Sequence, residues 1–89
     1  MPQHTLVIIN RLGLHARAAA KFSTTAAQFN CQIQVHCHGK TVNGKSIMGL
    51  MMLAAAKGTE IQLVTEGEDA EAAIAALTQL IEQRFGEAE

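Results

Sequence analysis

Residues 31–37 read Cys-Gln-Ile-Gln-Val-His-Cys, with Cys31, Ile33, Val35 and Cys37 on one side and Gln32, Gln34 and His36 on the other. Side chains alternate faces along a strand, so this segment belongs in a sheet with one dry face and one wet face. Any helices must then cover a single face of that sheet. The rest of the chain supplies them. Thr5–Ile9 (TLVII) is β-branched and reads as a strand, and Glu60–Thr65 (EIQLVT) alternates as another. His38-Gly39-Lys40 turns the chain into a short strand near Thr41 and Val42. Ala16–Gln28 is rich in alanine, the best helix former. Ser46 is suited to cap a short helix running to about Leu53, with Lys57-Gly58 as its left-handed stop. Asp69 is placed to cap a last helix whose apolar stripe is Ala70, Ala73, Ile74, Leu77, Ile81 and Phe85. The order is βαββαβα, and the class is α+β, one sheet with helices on one face.

At 89 residues the chain suits a single domain spanning 1–89. Its charges are segregated. Residues 1–59 carry Arg11, Arg17, Lys21, Lys40, Lys45 and Lys57 and no acid, whereas all the acids lie between Glu60 and Glu89 with Arg84 for basic company. The first two-thirds of the molecule is therefore expected to meet something anionic. Nucleic acid is disfavoured, because Phe22, Phe29 and Phe85 are the only aromatic residues and base-stacking platforms are scarce. Acidic proteins or a phosphoryl group fit better. Cys31 and Cys37 make no disulfide framework, which suits a reducing cytoplasm. Leu6–Ile9 is too short for a signal-peptide apolar region, and Ile47–Ala56 is about half of what a membrane span needs, so no membrane insertion is expected.

The segment with chemical content is Asn10–Lys21, NRLGLHARAAAK. A strand ends, a glycine-bearing loop turns, and His15 stands where the first helix begins. Histidine is a poor N-cap, so its presence at an otherwise well-formed helix start hints at chemistry rather than structure. A neutral imidazole is a nucleophile toward phosphorus and yields a phosphoramidate that can pass its group on. The first-turn amides of Ala16, Arg17 and Ala18 offer donors for phosphoryl oxygens, Arg17 adds a planar guanidinium, and Gly13 leaves space for a partner. By itself a histidine with an arginine two residues on is also compatible with an ordinary exposed loop.

Two motifs sharpen this reading. LGLHARAAAKF closely resembles the active-site segment of HPr phosphocarriers, and NGKSIMGLMML resembles their regulatory helix; the likeness continues through AAAKGTEIQLVTEGEDAEAAIAAL. The resemblance implies an open-faced β-sandwich, a four-stranded antiparallel sheet with three helices on one face. It implies a stoichiometric carrier of the phosphotransferase system rather than an enzyme, with His15 accepting the phosphoryl group on Nδ1 and Arg17 stabilising it. Enzyme I would be the donor, and IIA components serving sugar uptake and its regulation the acceptors. Ser46 resembles the target of HPr kinase/phosphorylase. One departure stands out: Ala18 occupies the position after the arginine where the family commonly has proline. Alanine gives up a pre-set backbone angle and restores an N–H donor.

Ile47, Met48, Met51 and Met52 cannot all face the core if Leu50 and Leu53 do. Together with Ala20 and Lys21 they form the expected partner-docking surface, flexible and apolar. His36 and His38 point away from Cys37 on an alternating strand, so no metal site is expected there, and no cofactor is implied. The carrier is expected to be a monomer. The rivals are the nitrogen-related NPr branch, whose role is regulatory, and a small-molecule-binding regulatory domain on a similar split sandwich.

Overall fold

The computed structural model describes residues 3–89. β1 (Gln3–Val7), α1 (Ala16–Ala26), β2 (Gln32–Cys37), β3 (Lys40–Asn43), α2 (Ile47–Met52), β4 (Glu60–Glu66) and α3 (Ala70–Glu82) follow in the expected order, with a 3-10 turn at Arg84–Gly86. The four strands form one sheet in the order β1-β4-β2-β3, antiparallel throughout.

The alternation in residues 31–37 does what the pattern requires. Ile33, Val35 and Cys37 are buried under the helices, Gln32 and Gln34 are exposed, and His36 is half-buried beside Thr41. The core adds Leu6, Ile8, Ile61 and Leu63 from the β1 and β4 region and Ala18, Ala19, Phe22 and Ala26 from α1. Leu50 and Leu53 come from the α2 region, and Ala73, Leu77 and Ile81 from α3. Both cysteines are free and buried, and burial pushes their thiols up from the ordinary value. They behave as small core residues.

Some local expectations are corrected. β1 ends at Val7 rather than Ile9, although Ile8 still exchanges backbone bonds with the Gly58-Thr59 turn. α2 is not stopped by Gly58. It ends at Leu53, and the left-handed residue is Ala54 (φ 52°), followed by a stretch in which Ala55 packs inward. Asp69 precedes α3 but makes no side-chain cap; its carboxylate accepts the amides of Asn30 (2.8 Å) and Cys31 (2.9 Å), fixing the entry into β2. Phe85 is buried, but not as the last residue of the α3 stripe. Arg84 (φ 56°) and Phe85 (φ 54°) both turn left-handed and swing the ring back into the core. Two such non-glycine residues each cost of order 1 kcal/mol or more, a sum that burial of a phenylalanine ring, roughly 1.5–3 kcal/mol, can offset.

Two ties set α2 against α1. Leu14 N–H, next to His15, donates to Ala55 O after the end of α2 (2.8 Å). Ser23 Oγ, two turns into α1, donates to Lys45 O just before α2 (2.8 Å). α2 therefore runs back along α1, with its C-terminal end toward His15. The starts of the two helices do not lie side by side as a simple reading of the motifs suggests.

Candidate functional site

The loop that presents His15 is built from inside outward. Asn10 is fully buried, and its Nδ2 donates to Gly13 O (2.8 Å), closing the turn that Gly13 N–H to Asn10 O (3.1 Å) also braces. Gly13 takes φ 68°, and a Cβ there would stand 2.5 Å from Ala55 O. The close approach that Gly13 permits is thus to the protein's own backbone, not to a partner. Leu14 is buried behind it, and His15 emerges on the last extended residue before α1.

His15 is the N-cap of α1, in extended geometry (φ −78°, ψ −179°), and its side chain caps nothing. Its carbonyl accepts from Ala19 N–H (2.8 Å), so the helix is properly started by the backbone alone. The amides of Ala16, Arg17 and Ala18 have no partner among the described residues. A helix start with unpaired amides and positive dipole favours an anion. Arg17 is exposed and forms no ion pair among the described residues, so its guanidinium is free to engage one. Arg11, Leu12, His15, Ala16 and Arg17 line one side of an open hollow of about 570 Å³, and Glu87, Ala88 and Glu89 close the other.

The acidic side of that hollow was missed by reading the sequence. After the left-handed turn at Arg84-Phe85 the C-terminal residues cross over the His15 loop. Lys21 Nζ donates to Phe85 O (2.6 Å), and Arg11 N–H donates to Glu89 O (2.9 Å). Arg11 Nε pairs with the Glu89 carboxylate (3.0 Å), an exposed contact worth little by itself. Glu87 is the central residue: Oε1 accepts from Asn10 Nδ2 (3.0 Å), and Oε2 meets His15 Nε2. The Asn10 hydrogen bond foremost, then the bond and charge of His15 and the charge of Lys21, hold the Glu87 carboxyl below its usual range against the opposing effect of burial. His15 is consequently about a quarter exposed instead of open to solvent. The available signal was the charge segregation itself, since acids at the end of a chain whose basic part has none are free to fold back onto it.

Ser46 N-caps α2, its Oγ accepting from Gly49 N–H (3.0 Å). Met48 (77% exposed), Met52 (66%), Met51 (45%) and Ile47 (43%) stand outside, while Leu50 and Leu53 are buried, so α2 presents an apolar outer face. Leu12 (61%), also unforeseen, adds an exposed apolar side chain next to the His15 loop. Ala20 and Lys21 lie with Arg17 along a shallow hollow on α1; the Lys21 ammonium is already engaged by Phe85 O. His36 and Cys37 lie on opposite faces of β2, as the alternation requires.

Residues 2–83 match the family model described as PTS HPr component phosphorylation site. The chain belongs to the HPr family. It is 57% identical to the phosphocarrier protein HPr of Neisseria meningitidis, with the whole of both chains aligned. Its fold superposes on the crystal structure of HPr-C-His from Thermoanaerobacter tengcongensis with a TM-score of 0.96, at 49% identity and full coverage of both chains. A crystal structure of an HPr dimer from the same organism matches at TM-score 0.79 and 50% identity, covering 98% of this chain and 100% of that one. Membership makes the protein a phosphocarrier of the phosphotransferase system, a carrier rather than a catalyst by family name. No helix among the described residues is long and apolar enough to cross a membrane.

Proposed function

We propose that this carrier accepts a phosphoryl group from phosphorylated Enzyme I on His15 Nδ1 and delivers it to IIA components, being regenerated unchanged. The observation that carries the reading is the start of α1: a histidine that does no capping, beside three unpartnered amides and an unpaired arginine, in an open hollow. Arg17 and the amides of Ala16, Arg17 and Ala18 receive the phosphoryl oxygens. Ala18, in place of the proline common in the family, supplies one of those donors. The outer face of α2 (Ile47, Met48, Met51, Met52) and the adjoining Ala20 and Lys21 receive the partner, which finds apolar contacts there and basic groups at Arg11 and Arg17. The carrier works in the cytoplasm as a monomer; the relative crystallised as a dimer makes size-exclusion at working concentration the check on the second point.

Ser46 is a regulatory phosphorylation site for an HPr kinase/phosphorylase in this reading. A phosphate at a helix start is compatible with the dipole, so its effect falls on docking rather than on folding. The relatives' name, phosphocarrier protein HPr, favours the sugar-transport role over the NPr branch.

The test is reconstitution. The chain is mixed with phosphoenolpyruvate and Enzyme I, and the intact mass is followed before and after addition of a IIA protein. One acid-labile phosphoryl group, gained and then lost to IIA, is expected. A chain that stays unmodified, or that keeps its group in the presence of every IIA tried, argues against the proposal.

A further inference from the structure

We infer that Glu87 is a positioning residue for phosphoryl transfer at His15, acting through the far nitrogen of the ring; the inference rests on the reading of His15 as acceptor. The geometry points to this role. Glu87 Oε2 meets His15 Nε2, while Oε1 is held by Asn10 Nδ2 at 3.0 Å. Asn10 is fully buried and also tied to Gly13 O at 2.8 Å, so the carboxylate is anchored to the interior of the loop rather than waving from a free end. Phe85, buried two residues earlier and bonded through its carbonyl to Lys21 Nζ at 2.6 Å, fixes the approach of the chain.

A carboxylate can only accept, so the shared proton is on Nε2. In the neutral ring the lone pair is then on Nδ1, the nitrogen that faces away from Glu87. In the reaction that lone pair forms the bond to phosphorus. The bond from phosphorus to the atom of the phosphorylated donor breaks, and that atom leaves with the electron pair. The Nε2 proton stays where it is. As the new bond forms, the ring gains positive character and its Nε2–H becomes a stronger donor, so the bond to Glu87 strengthens from ground state to transition state. An interaction that strengthens in that direction raises the rate and not merely the affinity. The logic is that of the aspartate behind the catalytic histidine of serine hydrolases, which fixes the tautomer and steadies the charged ring.

The opposite role for the tail, a lid that blocks His15, makes opposite predictions. Glu87→Ala and Glu87→Gln are compared with wild type in single-turnover and steady-state transfer from phosphorylated Enzyme I. ¹⁵N spectra of the neutral His15 ring, and melting curves, accompany the kinetics. Glu87→Ala is expected to lower kcat five- to tenfold with little change in KM and to lose the fixed Nε2–H pattern. Glu87→Gln, which keeps an acceptor without charge, is expected to retain the Nε2–H pattern yet recover only part of the rate. A wild-type or higher kcat in Glu87→Ala overturns the inference while leaving the acceptor reading intact. A wild-type chain whose phosphoryl group is absent from His15, or sits on Nε2, overturns the acceptor reading and this inference with it.

Discussion

The first and second helices of this fold begin in contrasting ways. At α2, Ser46 accepts from Gly49 N–H at 3.0 Å, the arrangement a helix start prefers, and the helix behind it is only six residues long. At α1, His15 caps nothing, and the helix of 11 residues holds through its own backbone and through Ala18, Ala19, Phe22 and Ala26 in the core. The short helix needs its cap. The longer one is stable enough to give that position to a residue chosen for something else. In a compact carrier, chemistry is placed where packing has already secured the backbone.

The largest expected effect follows directly. His15→Ala should abolish phosphoryl acceptance from Enzyme I, read as loss of the mass increment, while the melting temperature stays within about 2 °C of wild type because no cap is removed. A His15→Ala chain that still gained acid-labile phosphate would move the acceptor to His4, His36 or His38. Arg17→Ala comes next. Its guanidinium is unpaired in the resting protein and is free to act on the transferring group. Transfer should slow at least tenfold, a barrier change of about 1.4 kcal/mol, with stability unaffected. Unchanged transfer rates would make Arg17 a bystander.

The two helix starts also differ in how far the sequence reveals them. Ser46 and His15 are both legible, the one from capping preference and the other from its unsuitability as a cap. The sheet is legible because the alternation in residues 31–37 leaves only one arrangement of its faces. What the sequence does not reveal is the tail. Phe85 continues the α3 spacing and so reads as helix, but two successive left-handed residues, neither of them glycine, redirect it. No local preference announces such a turn; it is held by the ring's burial and by Lys21, 64 residues away in sequence. Asp69 misleads for a related reason. Its carboxylate has a choice between its own helix and the amides of Asn30 and Cys31, and tertiary contact decides.

At the second start, Ser46→Ala and Ser46→Asp separate structure from regulation. Alanine should cost about 1 kcal/mol of stability through loss of the cap, in contrast to the neutral His15→Ala. Aspartate is an equally good cap, so the fold should hold. Ser46 is tied through Lys45 to Ser23, eight residues along α1 from His15, a distance of about 12 Å at 1.5 Å per residue. That exceeds the screening length of about 8 Å at physiological salt, so the added charge should act on the partner's docking face and not on the ring. Ser46→Asp is therefore expected to raise the KM for Enzyme I several-fold at nearly constant kcat, with higher salt recovering part of the loss. An unchanged KM, or an α2 that has unfolded, would count against this.

Acid should produce the smallest effect and divide the two starts most cleanly. Glu87 is held below its ordinary value of 4.5, by the Asn10 hydrogen bond first and then by His15 and Lys21. A carboxyl whose folded value is depressed contributes stability that is fully present above 4.5 and is lost as pH falls through the folded value. Protonation should loosen the tail from Asn10 and His15 without touching the serine cap of α2, which has nothing to titrate. In amide NMR spectra recorded downward from pH 6, the signals of Asn10, Gly13 and Glu87–Glu89 should shift together with a midpoint below 4.5, while that of Gly49 stays in place. The Asp69 carboxyl, also held low and chiefly by the Asn30 amide, supplies an internal reference at the entry to β2, where Asn30 and Cys31 should shift independently of the tail. If Gly49 moved with the tail, the two starts would be coupled, and the independence inferred from their separate hydrogen bonds would fail. If the tail signals moved with a midpoint at or above 4.5, Glu87 would not be held by Asn10 and His15 in solution, and the closed side of the hollow would have to be redrawn.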